Sequence, residues 1–119
     1  MTDYVKVSKH EKWIGVWVYN ENDKPFSIGE KMGEINECAY MNGYNWDAFF
    51  NYYLTEHAPE LLEGLDRDPE AGSYAAYYPP TEENERKAER FASIIVSLIE
   101  NEEEIYRIVR EHGDEIEWD

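Results

Sequence analysis

A chain of 119 residues with 27 Asp and Glu against 11 Lys and Arg carries a net charge of -16, which repels nucleic-acid phosphates and anionic membranes and attracts basic proteins and cations. Its 42% hydrophobic and 15% aromatic residues supply a real core, which excludes charge-driven disorder, and the length suits one domain spanning residues 1–119. The single cysteine excludes an internal disulfide framework, no apolar run is long enough to cross a membrane, and a soluble cytoplasmic domain without a cofactor is expected.

Val5 and Val7 alternate with Tyr4 and Lys6, and Ser8 to Glu11 interrupt the pattern before Lys12 to Tyr19. There Ile14, Val16 and Val18 take one face while Trp13, Trp17 and Tyr19 take the other, with Gly15 between them, so the pair reads as a hairpin. Either helices cover both faces, the preferred reading because aromatic stripes usually belong to cores, or the aromatic face is an exposed recognition surface. Asn22 to Pro25 reads as a turn, and Phe26 with Ile28 as a third strand. In Glu30 to Tyr40, Ile35, Cys38 and Ala39 fit a short helical face that Gly29 and Gly33 weaken, and Cys38 is expected to be a buried small hydrophobe.

A turn at Asn42, Gly43 and Tyr44 leads into a helix from Trp46 to about Leu54, with Asn45 as its cap and Asp47 in its first turn. Trp46, Phe49, Phe50 and Tyr53 form its packed side and the centre of the core. Pro59 opens a short helix bearing Leu61, Leu62 and Leu65, Asp66 to Gly72 reads as a loop, and Ser73 to Tyr78 as a strand ended by Pro79 and Pro80. Thr81 caps a helix with the apolar stripe Ala88, Phe91, Ala92, Ile95, Leu98 and Ile99. Asn101 and Glu104 have capping-box spacing before a last helix bearing Ile105, Ile108 and Val109, which Gly113 ends. This order predicts a compact α+β domain, a small antiparallel sheet packed against several helices.

Motifs with chemistry are sparse. There is no phosphate-cradling glycine loop and no HExxH, and His10, His57 and His112 are scattered. Asp66, Asp68 and Glu70 lack the glycine and terminal glutamate of a calcium loop and read as a solvated turn. No catalytic, cofactor-binding or metal-binding residue is therefore assigned, and the chain is not read as an enzyme. The acids are unevenly placed: from Thr81 onward there are 13 against five bases, including Glu100, Glu102, Glu103, Glu104, Glu111, Asp114 and Glu115. Clustered like charge repels itself, which a cationic partner relieves. These seven acids, with Trp13 and Trp17, are the candidate partner contacts.

Through Asn42-Gly43-Tyr44-Asn45-Trp46, followed by Asp68-Pro69-Glu70-Ala71-Gly72, the chain resembles the immunity protein 51 family of bacterial polymorphic toxin systems. Those are small α+β proteins with an Asn-Gly-Tyr-Asp-Trp-like turn before a helix and an Asp-Pro-Glu-Ala-like segment leading into a strand. The resemblance covers about Gly33 to Val109, and Asn45 stands where the family has Asp, either of which caps a helix. It implies an antitoxin that binds and neutralises a cognate toxin made by the same cell, with Asn42, Gly43, Tyr44, Trp46, Asp68 and Glu70 serving the scaffold. Joined to the charge, it suggests a basic nuclease toxin held by reversible, stoichiometric blockade, with no direct contact to nucleic acid or membrane. The alternative is an acidic regulatory or adaptor protein that mimics nucleic acid toward a basic, non-toxin partner; a metal-assisted hydrolase is a distant third. The sequence leaves oligomeric state open.

Overall fold

Hydrophobic alternation builds the sheet. A computed structural model describes residues 3–119, in which β1 (Val5–Lys9), β2 (Ile14–Val18), β3 (Asp66–Arg67) and β4 (Tyr74–Tyr78) form one antiparallel sheet in the order β1-β2-β4-β3. The register Val5↔Val18↔Tyr74, Val7↔Val16↔Ala76 and Lys9↔Ile14↔Tyr78 lines up every second residue. One face therefore collects Val5, Val16, Val18, Ile14, Tyr74, Ala76 and Tyr78, all buried.

Helix α3 (Glu82–Glu100) packs across β1 and β2 on that face, and α2 (Gly43–His57) packs beside β4. The predicted stripe of α3, Ala88 through Ile99, is buried as read, and Thr81 Oγ1 accepts the Asn84 amide at 3.1 Å. Between helix and sheet, Phe50 stands 5.1 Å from Tyr74, 6.1 Å from Phe91 and 5.5 Å from Trp46, centroid to centroid. Phe50 stacks on Trp46 within α2 and meets Tyr74 and Phe91 edge to face; the latter two contacts add to simple burial and fix how α2, α3 and β4 meet. Helices α1 (Asp23–Ile35) and α4 (Glu102–His112) pack on each other, and α4 also meets α3. The result is an α+β domain of one antiparallel sheet and a helical layer, with a radius of gyration of 13.5 Å, as a compact chain of this length should have.

Several local expectations are corrected. Phe26 and Ile28 belong to α1, not to a third strand. Pro25 sits in the first helical turn, where a missing amide hydrogen removes no helical bond. Gly29 and Gly33 lie inside the same helix because the returning chain crosses there: a Cβ on Gly29 would stand 2.8 Å from Met41 Cβ. Cys38, expected to be buried, is exposed in the connection after α1. The cap of α2 is Asn42, whose side chain accepts the Asn45 amide at 3.0 Å, while Asn45 is buried in the first turn and bonds the Tyr40 carbonyl instead.

On α2 the packed side is closed by Leu54, with Tyr53 only half-buried. Asp66 and Arg67, read as loop, form β3. Asn101 makes no side-chain cap: the Glu104 amide donates to the Asn101 backbone carbonyl at 3.0 Å, and the Glu104 carboxylate turns to Arg107 at 2.6 Å. Helix α4 ends at Gly113 as read, although that residue keeps a right-handed helical backbone and opens a 3-10 turn, Gly113–Glu115. The C-terminal segment then returns to α2, where the Asp119 amide donates to Asn45 Oδ1 at 2.6 Å.

Candidate functional site

The two family-type segments, 42–46 and 68–72, meet. Gly43 donates its amide to the Ala71 carbonyl at 2.9 Å, Asn20 Nδ2 donates to the same carbonyl at 3.3 Å, and the Glu70 amide donates to Ser73 O at 2.8 Å. A Cβ on Gly43 would fall 1.7 Å from the Glu70 carbonyl oxygen and 2.4 Å from that of Ser73. The glycine is therefore required by close backbone approach rather than by a special turn conformation. Trp46 is fully buried beside this junction, whereas the side chains of Tyr44, Asp68 and Glu70 face solvent. The segments thus join α2 to β4 through their backbones and leave three side chains outside.

The sheet's other face carries Lys6↔Trp17↔Ala75 and Ser8↔Gly15↔Tyr77↔Asp66. The preferred expectation of helices on both faces is corrected, since α3 and α2 both lie against the valine face. The aromatic rings cover one another instead: Trp13 meets Tyr77 at 5.2 Å, Trp17 meets Tyr77 at 5.6 Å, and His10 stacks on Trp13 at 4.8 Å. They lean over Gly15, where any Cβ would lie 2.8 Å from Trp17 Nε1. Trp13, Trp17 and Tyr77 are accordingly half-buried, around a shallow cleft of about 310 Å³ shared with Asp66. Burial, reinforced by Asp68, Glu70 and Asp66, holds the Tyr77 phenol above its ordinary value.

The candidate C-terminal acids lie in the helical layer, so they and the tryptophan pair belong to opposite sides of the domain. Four of them already have partners. Glu100 accepts from the Tyr4 hydroxyl and from Lys24 Nζ at 3.0 Å, which holds its carboxyl below the ordinary range. Arg107 bonds Glu104 at 2.6 Å and reaches Glu111 at 3.5 Å, and Glu115 meets His112 Nδ1. The Arg107 hydrogen bond likewise lowers Glu104. Glu102, Glu103 and Asp114 make no ion pair among the described residues.

Tyr106 connects α4 to α1. It is 6% exposed, its hydroxyl has no hydrogen-bond partner among the described residues, and Lys31 Nζ stands 5.9 Å above its ring. Burial first, then Glu102, Glu103 and Glu34, push its phenol up to about 12. Carboxylates of both helices thus act on one ring, with Lys31 over it. Sequence reading assigned Glu34 no part in this, because its segment gave no clear helical signal and the α1–α4 pairing is tertiary. It also passed over Phe26 and Tyr40, which are 52% and 78% exposed beside a groove of about 440 Å³. Exposure of an aromatic ring is a tertiary property, and neither residue type marks it in the sequence.

Among the described residues, no group of three or more His, Cys, Asp or Glu is placed to hold a metal ion, and no helix is long and apolar enough to cross a membrane. What the geometry offers is a surface, acidic across α1 and α4 and aromatic at its margin. Comparison with curated proteins and with solved structures finds no match. A family model described as immunity protein 51 matches residues 5–114, from the first strand through the last helix and including both junction segments. The chain therefore belongs to the immunity protein 51 family.

Proposed function

We propose that this protein is a cytoplasmic antitoxin that binds a basic toxin, a nuclease by preference, and blocks it reversibly in a stoichiometric complex. Family membership supports a cognate toxin as the partner; the charge supplies the toxin's character. The observation that carries the reading is the α1–α4 face at Tyr106, where Glu34, Glu102 and Glu103 all act on the phenol beside Lys31 and none of the three carboxylates makes an ion pair among the described residues. Carboxylates that outnumber the cations on one face repel each other in the free protein, and a cationic surface removes that repulsion on docking. A nuclease needs such a cationic surface to hold phosphates, so an acidic inhibitor competes for the same ground.

A partner footprint of about 800 Å² covers one broad face of a body measuring 41 × 27 × 23 Å. The helical face, not the tryptophan face, is therefore our assignment. Co-expression with the toxin domain encoded beside this chain tests the function: rescued growth and co-purification support it, and continued killing with no complex rejects it. Glu102→Gln with Glu103→Gln should slow capture more than Glu104→Gln, whose carboxylate already serves Arg107. Equal capture rates for both variants and wild type would reject the electrostatic assignment.

A further inference from the structure

The groove beside α1 has a floor of Gly29, Gly33, Ala39 and Met41 and is flanked by Phe26 and Tyr40. These two are the most exposed large apolar side chains among the described residues, at 52% and 78%. Two aromatic rings held in water along one cleft of about 440 Å³ are the form that interface anchors take. Charge identifies what sits between them. Glu30, Glu34 and Glu37 line the same groove, all three exposed, and none makes an ion pair among the described residues. The last turn of α1 has no basic residue, so Glu34 within it and Glu37 just beyond it stand at the negative end of the helix dipole, where a cation is the favoured neighbour. A second copy of a chain with a net charge of -16 would bring the wrong sign.

We propose that this groove is the anchor site for the toxin: an apolar side chain of a basic toxin segment seats between Phe26 and Tyr40, while flanking Lys or Arg residues meet Glu30, Glu34 and Glu37. The proposal rests on the antitoxin reading and adds to the α1–α4 acids the apolar contact that holds the complex once charge has assembled it. Anchors and charges should then separate kinetically, with the aromatics controlling dissociation and the glutamates association.

Cys38 provides a probe in the unaltered protein, because the chain's single thiol is exposed between the groove residues Glu37 and Ala39. Alkylation of Cys38 by iodoacetamide should slow by about tenfold or more when the purified toxin domain is bound. Phe26→Ala with Tyr40→Ala should weaken binding by about 30-fold or more, the scale of a true anchor, chiefly through faster dissociation. Glu30→Gln with Glu34→Gln should lower the association rate and its salt dependence. Unfolding temperatures of the variants, unchanged from wild type, exclude a folding defect, and sedimentation of the protein alone tests for self-association. Unchanged alkylation together with affinity within twofold for the aromatic pair would overturn the proposal, as would a homodimer lost in that pair while toxin binding stays intact. If wild type rescues growth and the groove variants rescue it equally at matched expression, only the groove assignment falls. If wild type binds no toxin, the antitoxin reading falls and the groove falls with it.

Discussion

Gly43→Ala is the sharpest test of how the two family segments hold the fold. The new methyl group would stand 1.7 Å from the Glu70 carbonyl oxygen, against an ordinary carbon–oxygen contact of about 3.2 Å, so the α2 terminus and the 70–73 turn must part by roughly 1.5 Å. Both obstructing atoms are backbone, and no rotamer change relieves them. Parting lengthens the bond from the Gly43 amide to Ala71 O and disturbs the buried junction that Asn20 shares. Overpacking costs about 1–3 kcal/mol and a buried donor left unpaired about as much again, while the better helix propensity of Ala returns less than about 1 kcal/mol. The net expectation is a loss of about 2–5 kcal/mol, a large part of the stability of a domain this size. Urea unfolding followed by tryptophan fluorescence measures it, and the midpoint should fall sharply with the slope retained. In thermal unfolding the same loss lowers Tm by about 4 °C per kcal/mol. A change below about 1 kcal/mol would refute the claim that close backbone approach dictates this glycine.

Three further outcomes follow from the same geometry. Thr81→Ala removes the side-chain cap of α3 and should cost about 1 kcal/mol, whereas Asn101→Ala, which removes no cap, should stay within about 0.5 kcal/mol; urea titration of both variants checks the contrast. Burial raises the Asp47 carboxyl above its ordinary 3.8, with Arg67 opposing. The folded state thus holds that proton more tightly than the unfolded chain, and this group's contribution to stability falls as pH rises from 3.8 through the folded value. Asp47→Asn should remove that part of the pH slope and leave the variant more stable than wild type at pH 7; parallel stability–pH curves from pH 3 to 7 would contradict it. Trp17→Ala should expose Gly15 and Tyr77 and lower stability by about 1–3 kcal/mol while leaving toxin affinity within about threefold, as binding titration would show.

Legibility in the sequence followed how locally each feature is determined. The stripe of α3 repeats at helical spacing over three turns and the valine alternation of β2 is strict, so both were readable from neighbours alone. Helix α1 was not, because Pro25, Gly29 and Gly33 are breakers by composition. Only the fold reveals that the proline occupies a first turn and that Gly29 makes room for Met41. The cap of α2 was misplaced by three residues because Asn42 and Asn45 have the same chemistry, and burial of Asn45 under the C-terminal segment decides between them. The tryptophan face was misread for a related reason: three rings interlocking over a glycine cover themselves, and no helix is needed. Of the candidate contacts, charge alone identified the acids of α4. It could not tell Glu104, committed to Arg107, from Glu102 and Glu103, which make no ion pair among the described residues, nor bring Glu34 beside them.

Reversible capture of a basic toxin by an acidic face is read out by stopped-flow association of the purified protein with the toxin domain encoded beside it, at ionic strengths from about 0.02 to 0.5 M. Binding should be one-to-one, with an association rate that falls by about tenfold or more across that range while dissociation changes little. An association rate indifferent to salt, or no association at all, would contradict it.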